Sequence, residues 1–142
     1  MGASIKSIPQ ERYTNIKCLD SKKIIKFWSD FNQCNKRNDS YFYLGFEYDD
    51  KYAFNENFEG TQIAGHPVVI NIAINSSGII NKITVNTDPN APAYFKKQAH
   101  LFWMRIYSKY GSTNWKCNDI EKQDNHSVIN NRYTNRICEK SF

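Results

Sequence analysis

The sequence predicts an α+β protein: an antiparallel sheet of about four strands, two amphipathic helices packed on it, and a C-terminal tail pinned by disulfides. Three observations carry that expectation. Strand-like alternation fills the middle of the chain between positions 41 and 87. Apolar residues at helical spacing flank it on both sides. Four cysteines, Cys18, Cys34, Cys117 and Cys138, are spread through 142 residues, and an even count in a small chain points to disulfides.

Residues 1–19 read as an N-terminal arm and 20–142 as a single domain. Pro9 blocks an early helix, and 12–18 reads as extended. Asp20 or Ser21 suits a helix N-cap. Ile24, Ile25, Phe27, Trp28, Phe31 and Cys34 then recur at helical spacing as far as Asn35, opposite Lys22, Lys23, Lys26, Asp30 and Asn32. The polar run 36–40 follows. Positions 41–48 are aromatic-rich and read as a strand. Asp49-Asp50 makes a turn into a short return strand over 51–54, and 61–64 is a weaker strand ending at Gly65.

The clearest hairpin lies further on. Val68, Ile70, Ile72 and Ile74 alternate with smaller or polar residues over 68–75, Ser76-Ser77-Gly78 makes a tight connection, and 79–87 returns. The turn 88–92 leads into a helix over 93–110 with Phe95, Ala99, Phe102, Ile106 and Tyr110 on one line, Trp103 and Tyr107 beside it, and Gly111 as C-terminal cap. Residues 112–142 are polar, with short extended pieces at 115–117 and 128–138.

An unbroken helix over 20–35 holds Cys18 and Cys34 roughly 20 Å apart, whereas a disulfide needs Cα atoms within about 7 Å. That excludes their pairing. The expected bridges therefore tie the N-terminal part to the tail, each contributing about 3–4 kcal/mol by restricting the unfolded chain. A lone Cys117–Cys138 bridge with two free thiols is the alternative. The segments Arg12-Tyr13-Thr14-Asn15 and Arg132-Tyr133-Thr134-Asn135 each lead into a cysteine and suggest two equivalent strands side by side. No cysteine pair has the close spacing of a structural zinc site, so neither metal nor other cofactor is expected.

The formal charge is +5 and the isoelectric point about 9.0. Lysines and arginines are dispersed, with no block of five or six, so a nucleic-acid partner is not indicated. No stretch approaches the roughly 20 apolar residues of a membrane span. Met1-Gly2-Ala3-Ser4 has neither the basic start nor the apolar core of a secretory signal. Oxidised cysteines would place the protein in a secreted or periplasmic location, a signal peptide having been removed.

The chain has no phosphate-binding glycine loop, dinucleotide fingerprint or nucleophile elbow. Glu47, Asp49, Asp50, Glu56 and Glu59 supply carboxylates, but in a turn and a polar loop where acidic residues are ordinary. His66, His100 and Lys97 supply the residue types of a small basic hydrolase such as a ribonuclease-type toxin, without a spacing that joins them; His126 lies in a polar loop. The aromatic segment 41–58 is more distinctive. Strand side chains alternate, so only half its rings fit one core, and Tyr41, Tyr43, Tyr48 and Tyr52 are candidates for a binding surface. The expected role is a non-enzymatic binding module, inhibitor- or assembly-factor-like, that meets a protein or glycan of the cell envelope. The hydrolase is the alternative.

Overall fold

The computed structural model describes residues 2–48, 61–96, 99–119 and 136–140. The chain forms two compact units, Met1–Asp88 and Pro89–Phe142.

The first unit is built on an antiparallel sheet: β1 (Tyr13–Cys18), β2 (Phe42–Tyr48), β3 (Gln62–Ile63), β4 (His66–Ile74) and β5 (Ile80–Thr87). β4 is central, paired with β2 and the short β3 as well as with β5, while β1 pairs with β2. Turn chemistry sets the register. Ala64 and Gly65 both take positive φ, 50° and 75°, which is what a two-residue hairpin loop needs between β3 and β4. Between β4 and β5, the Asn75 side-chain oxygen accepts from the Ser77 and Ile79 amides at 3.0 Å each, and Gly78 takes φ 77°. The predicted strand at 61–64 and the hairpin around Ser76-Ser77-Gly78 are thus found within a residue or two. The expected return strand over 51–54 lies outside the described residues.

One sheet face is dry. Leu44, Ile72 and Ile74 from the strands pack with Ile5, Ile16, Ile25, Trp28, Phe31 and Phe42, and the Cys18–Cys34 disulfide lies within this cluster. Tyr13, Trp28 and Phe46 form a mutual edge-to-face trio at 5.2–5.4 Å, a geometry that pairs ring edges with ring faces. The covering layer consists of 3-10 turns at Ile5–Ser7, Gln10–Arg12 and Trp28–Gln33. Gln10 joins two of these turns: its amide donates to the Lys26 carbonyl and its oxygen accepts from the Trp28 amide.

The predicted helix over 20–35 is not formed, and its backbone shows why. Lys22 adopts φ 57°, and the Cys18 amide donates to the Lys23 carbonyl while the Ile25 amide donates to the Ile16 carbonyl. The hydrogen bonds a helix would use run instead across to β1. Ile24 and Phe27, assigned to the apolar helical face, are exposed. The buried set is Ile25, Trp28, Phe31 and Cys34, a strict period of three that matches three residues per turn and drifts off the 3.6 of an α-helix.

That difference reverses the cysteine assignment. With no helix to separate them, Cys18 and Cys34 have Cα atoms 5.4 Å apart and are bonded. The second bridge is Cys117–Cys138, so no disulfide ties the front of the chain to the tail.

In the second unit, α1 (Ala93–Lys96) and α2 (Ala99–Tyr110) precede the antiparallel pair β6 (Trp115–Asp119) and β7 (Arg136–Lys140). Gly111, at φ 83°, ends α2 as the sequence predicts. Trp103 of α2 meets Trp115 of β6 edge to face at 5.0 Å, and the Trp115 indole donates to the Gly111 carbonyl. Cys117 and Cys138 lie directly opposite one another in the β6–β7 ladder. β1 and β7 belong to different sheets, so the strands that carry Cys18 and Cys138 do not pair.

The fold class is therefore mixed α and β with antiparallel sheets and two disulfides. Of the two expected amphipathic helices, the second corresponds to α1 and α2, and the first is replaced by 3-10 turns and bends.

Candidate functional site

β2 divides the aromatic segment by alternation. Phe42 and Leu44 point into the core, and Phe46 packs against it. Tyr43 pairs with Ala73, and Gly45 with Asn71, on the opposite face. Tyr41 and Tyr43 are half-buried there. Tyr48 pairs with Tyr13 in the β1–β2 ladder, but its side chain, like the whole of Tyr52, lies outside the described residues.

Tyr43 is held by the loop that precedes β2. The Ser40 amide donates to the Arg37 carbonyl, the Arg37 amide donates to the Tyr41 carbonyl, and Ser40 takes φ 68°. The Asp39 carboxylate accepts from the Tyr41 amide at 3.2 Å, the local side-chain-to-backbone bond that Asp favours in turns. So fixed, the loop sets the Arg37 guanidinium over the Tyr43 ring at 4.6 Å. The Tyr43 hydroxyl donates a hydrogen bond to the Asp39 carboxylate.

The electrostatics follow from that contact. The Tyr43 hydrogen bond, joined by backbone donors and by Arg37, holds the Asp39 carboxyl below its ordinary 3.8. The same bond, with burial and the Asp39 charge, pushes the Tyr43 phenol above 10.0. At neutral pH the cluster is a carboxylate, a guanidinium and a protonated phenol, each oriented by another. Arg37, Asn38 and Asp39 also line an open hollow of about 350 Å³.

Further along the same face, Gly45 is closely covered: a Cβ there would stand 3.0 Å from the Leu19 side chain and 3.1 Å from that of Asn71. Beyond it, the Asn15 amide donates to the Glu47 carboxylate at 2.8 Å. Asn15 has φ 51° at a register shift in β1, and bulges commonly re-aim side chains in this way.

Of the hydrolase candidates, His66 and His100 fall among the described residues, one in each unit. His66 is fully buried at the first position of β4, its Nε2 3.0 Å from the Thr87 hydroxyl, so the imidazole offers no surface to a substrate. His100 is half-buried on α2 in the second unit. Lys97 and His126 lie outside the described residues. Among the candidate carboxylates Glu47 is the Asn15 acceptor, and Asp49, Asp50, Glu56 and Glu59 also lie outside them.

Cys18, Asp20 and Cys34 bring two sulfurs and a carboxylate within 4.8 Å of one another. The sulfurs are bonded to each other and present no thiolate, the form that binds metal. Burial works to raise the Asp20 carboxyl, but backbone bonds at Asp20 and Ser21 and the bonds from Asn35 outweigh it and lower the group overall.

Arg37 and Asp39 are the residues that sequence reasoning missed. They sat in a run read only as a polar connection. The usable signal was Asn38-Asp39-Ser40, three turn-forming residues directly before an aromatic strand. No protein-family model, no curated protein and no solved structure matches the chain.

Proposed function

We propose that this chain is an exported, disulfide-bonded binding module that engages a protein or glycan of the cell envelope through the outer face of β2. The observation that carries the reading is the clamped tyrosine, with Arg37 stacked on the Tyr43 ring and Asp39 bonded to its hydroxyl. Tyrosine and arginine are enriched among residues that dominate binding energy, because they combine a large apolar area with directed polar groups. Rings fixed before the partner arrives lose less entropy on binding. Arg37, Asn38 and Asp39 line an open, shallow surface beside the ring, with Tyr41 as a second aromatic surface. The disulfides support the compartment, since both are compatible with an oxidising environment.

The test is affinity capture from envelope extract with the intact oxidised protein. A specific partner should be lost with Tyr43→Ala and with Arg37→Ala, and kept with a Lys6→Ala control on the Ile5–Ser7 turn. A capture profile indifferent to Tyr43 and Arg37 ends this assignment. Alkylation of the natively sourced, unreduced protein tests the compartment: labelling of all four cysteines is incompatible with it.

A further inference from the structure

We propose that the solvent face of α2 docks on an anionic phospholipid surface. One observation concerns the unit that carries this helix, the other the helix itself.

The first is charge. Residues 1–88 hold ten lysines and arginines against ten aspartates and glutamates, while residues 89–142 hold nine against four. The entire net charge of +5 therefore resides in the second unit. A surplus of that size on a small unit attracts an anionic surface within a Debye length or so.

The second is where apolar side chains stand. Ile106 is buried, and Trp103 packs on Trp115 and Tyr107; this is the face α2 turns inward. The opposite face should be polar in an ordinary surface helix. Instead Leu101 and Met104, one turn apart, are 44% and 50% exposed. Ser108 is exposed on the same side with Arg105 half-buried beside it, and Lys109 is exposed on the flank of that face. Aliphatic side chains flanked by cations are the composition of a helix that lies in the headgroup boundary: the apolar groups enter the acyl edge and the long basic side chains reach back to phosphate. Leucine and methionine have no ring face on which a base could stack, which favours lipid over nucleic acid. At 12 residues α2 is about 18 Å long, suited to lying in the interface; no helix among the described residues is long and apolar enough to cross a membrane.

This inference uses no residue of the β2 surface and stands or falls separately from it. The experiment is cosedimentation of the intact oxidised chain with vesicles of phosphatidylcholine mixed with phosphatidylglycerol, and with phosphatidylcholine alone. Binding should require phosphatidylglycerol and weaken as salt is raised. Leu101→Ser combined with Met104→Ser should lower partitioning on the order of tenfold, from the apolar area no longer withdrawn from water, with unchanged helical circular dichroism. Lys109→Glu should weaken binding and flatten its salt dependence. Tyr43→Ala should bind vesicles as the parent does. The proposal is overturned if the phosphatidylglycerol vesicles leave the protein in the supernatant, if the double variant partitions like the parent, or if the chain binds single-stranded RNA in preference to the vesicles.

Discussion

Removing the Cys18–Cys34 bridge should cost the first unit a large share of its stability, whereas removing Cys117–Cys138 should leave that unit nearly untouched. The perturbation is Cys18→Ala with Cys34→Ala. The bridge closes a separation of 16 residues, for which the chain-entropy account gives about 3 kcal/mol. Both sulfurs also lie in the core, 0% and 5% exposed, so the truncations remove packed atoms worth roughly 1 kcal/mol more. For a unit of 88 residues, a loss of about 4 kcal/mol corresponds to a melting temperature lower by on the order of 15–30 °C. Trp28 reports on this unit alone if Trp103 and Trp115 are replaced by Phe, because these are the three tryptophans of the chain. The assay is thermal unfolding followed by Trp28 fluorescence. The Cys117–Cys138 bridge has nearly the same span, 21 residues, so chain entropy alone does not separate the two; location does. If Cys117→Ala with Cys138→Ala shifts the Trp28 transition as far as the core pair does, or if peptide mapping joins Cys18 to Cys117 or Cys138, the reasoning is wrong.

The remaining predictions concern accessibility, pH and fit. Mild reductant followed by alkylation should label Cys117 and Cys138, both half-buried, before the buried Cys18 and Cys34; mass spectrometry of the labelled peptides gives the order. The Asp39 carboxyl is depressed in the folded protein, so its contribution to stability is present above 3.8 and lost as pH falls below it. Tyr43→Phe should move the Asp39 titration back towards 3.8, read by carboxyl-carbon NMR, and Asp39→Asn should bring the Tyr43 phenol down towards 10.0. Gly45→Val should destabilise by about 1–3 kcal/mol through overpacking against Leu19 and Asn71, measured by urea unfolding. Asn15→Ala loses both the bond to Glu47 and the tolerance of its positive φ, which should cost about 1–2 kcal/mol in the same assay.

How much of this was legible depends on which residues had one reading. The β4–β5 hairpin was legible because period two, β-branched residues and a turn sequence agreed. The C-terminal cap at Gly111 was legible because only glycine takes that φ at little cost. The segment 20–35 was not, because apolar residues at every third position fit a 3-10 layer as well as an α-helix over two or three turns, and what chose between them was long-range: cross-strand bonds to Ile16 and Cys18. The disulfides were misread as a direct consequence, since the distance argument was sound but rested on the wrong helix. That Tyr43 stands on the face of β2 away from Phe42 and Leu44 was legible by alternation alone. Its partners Arg37 and Asp39 were not, because no periodicity connects a loop to the strand that follows it.

Composition misled in a subtler way. Averaged over the chain, +5 with scattered lysines reads as a slightly basic surface and does not indicate a nucleic-acid partner. Divided at Asp88, the same residues become one neutral unit and one strongly cationic unit. Among the described residues, the neutral unit has the larger buried core and the preorganised tyrosine, and the cationic unit has the exposed aliphatic side chains on α2. Charge acts within a Debye length of about 8–10 Å at ordinary ionic strength, so the relevant charge is that of the unit meeting a surface and not that of the whole chain. It follows that neutralising substitutions in residues 1–88 should leave vesicle binding unaffected, while the same number of charges removed from residues 89–142 should abolish it.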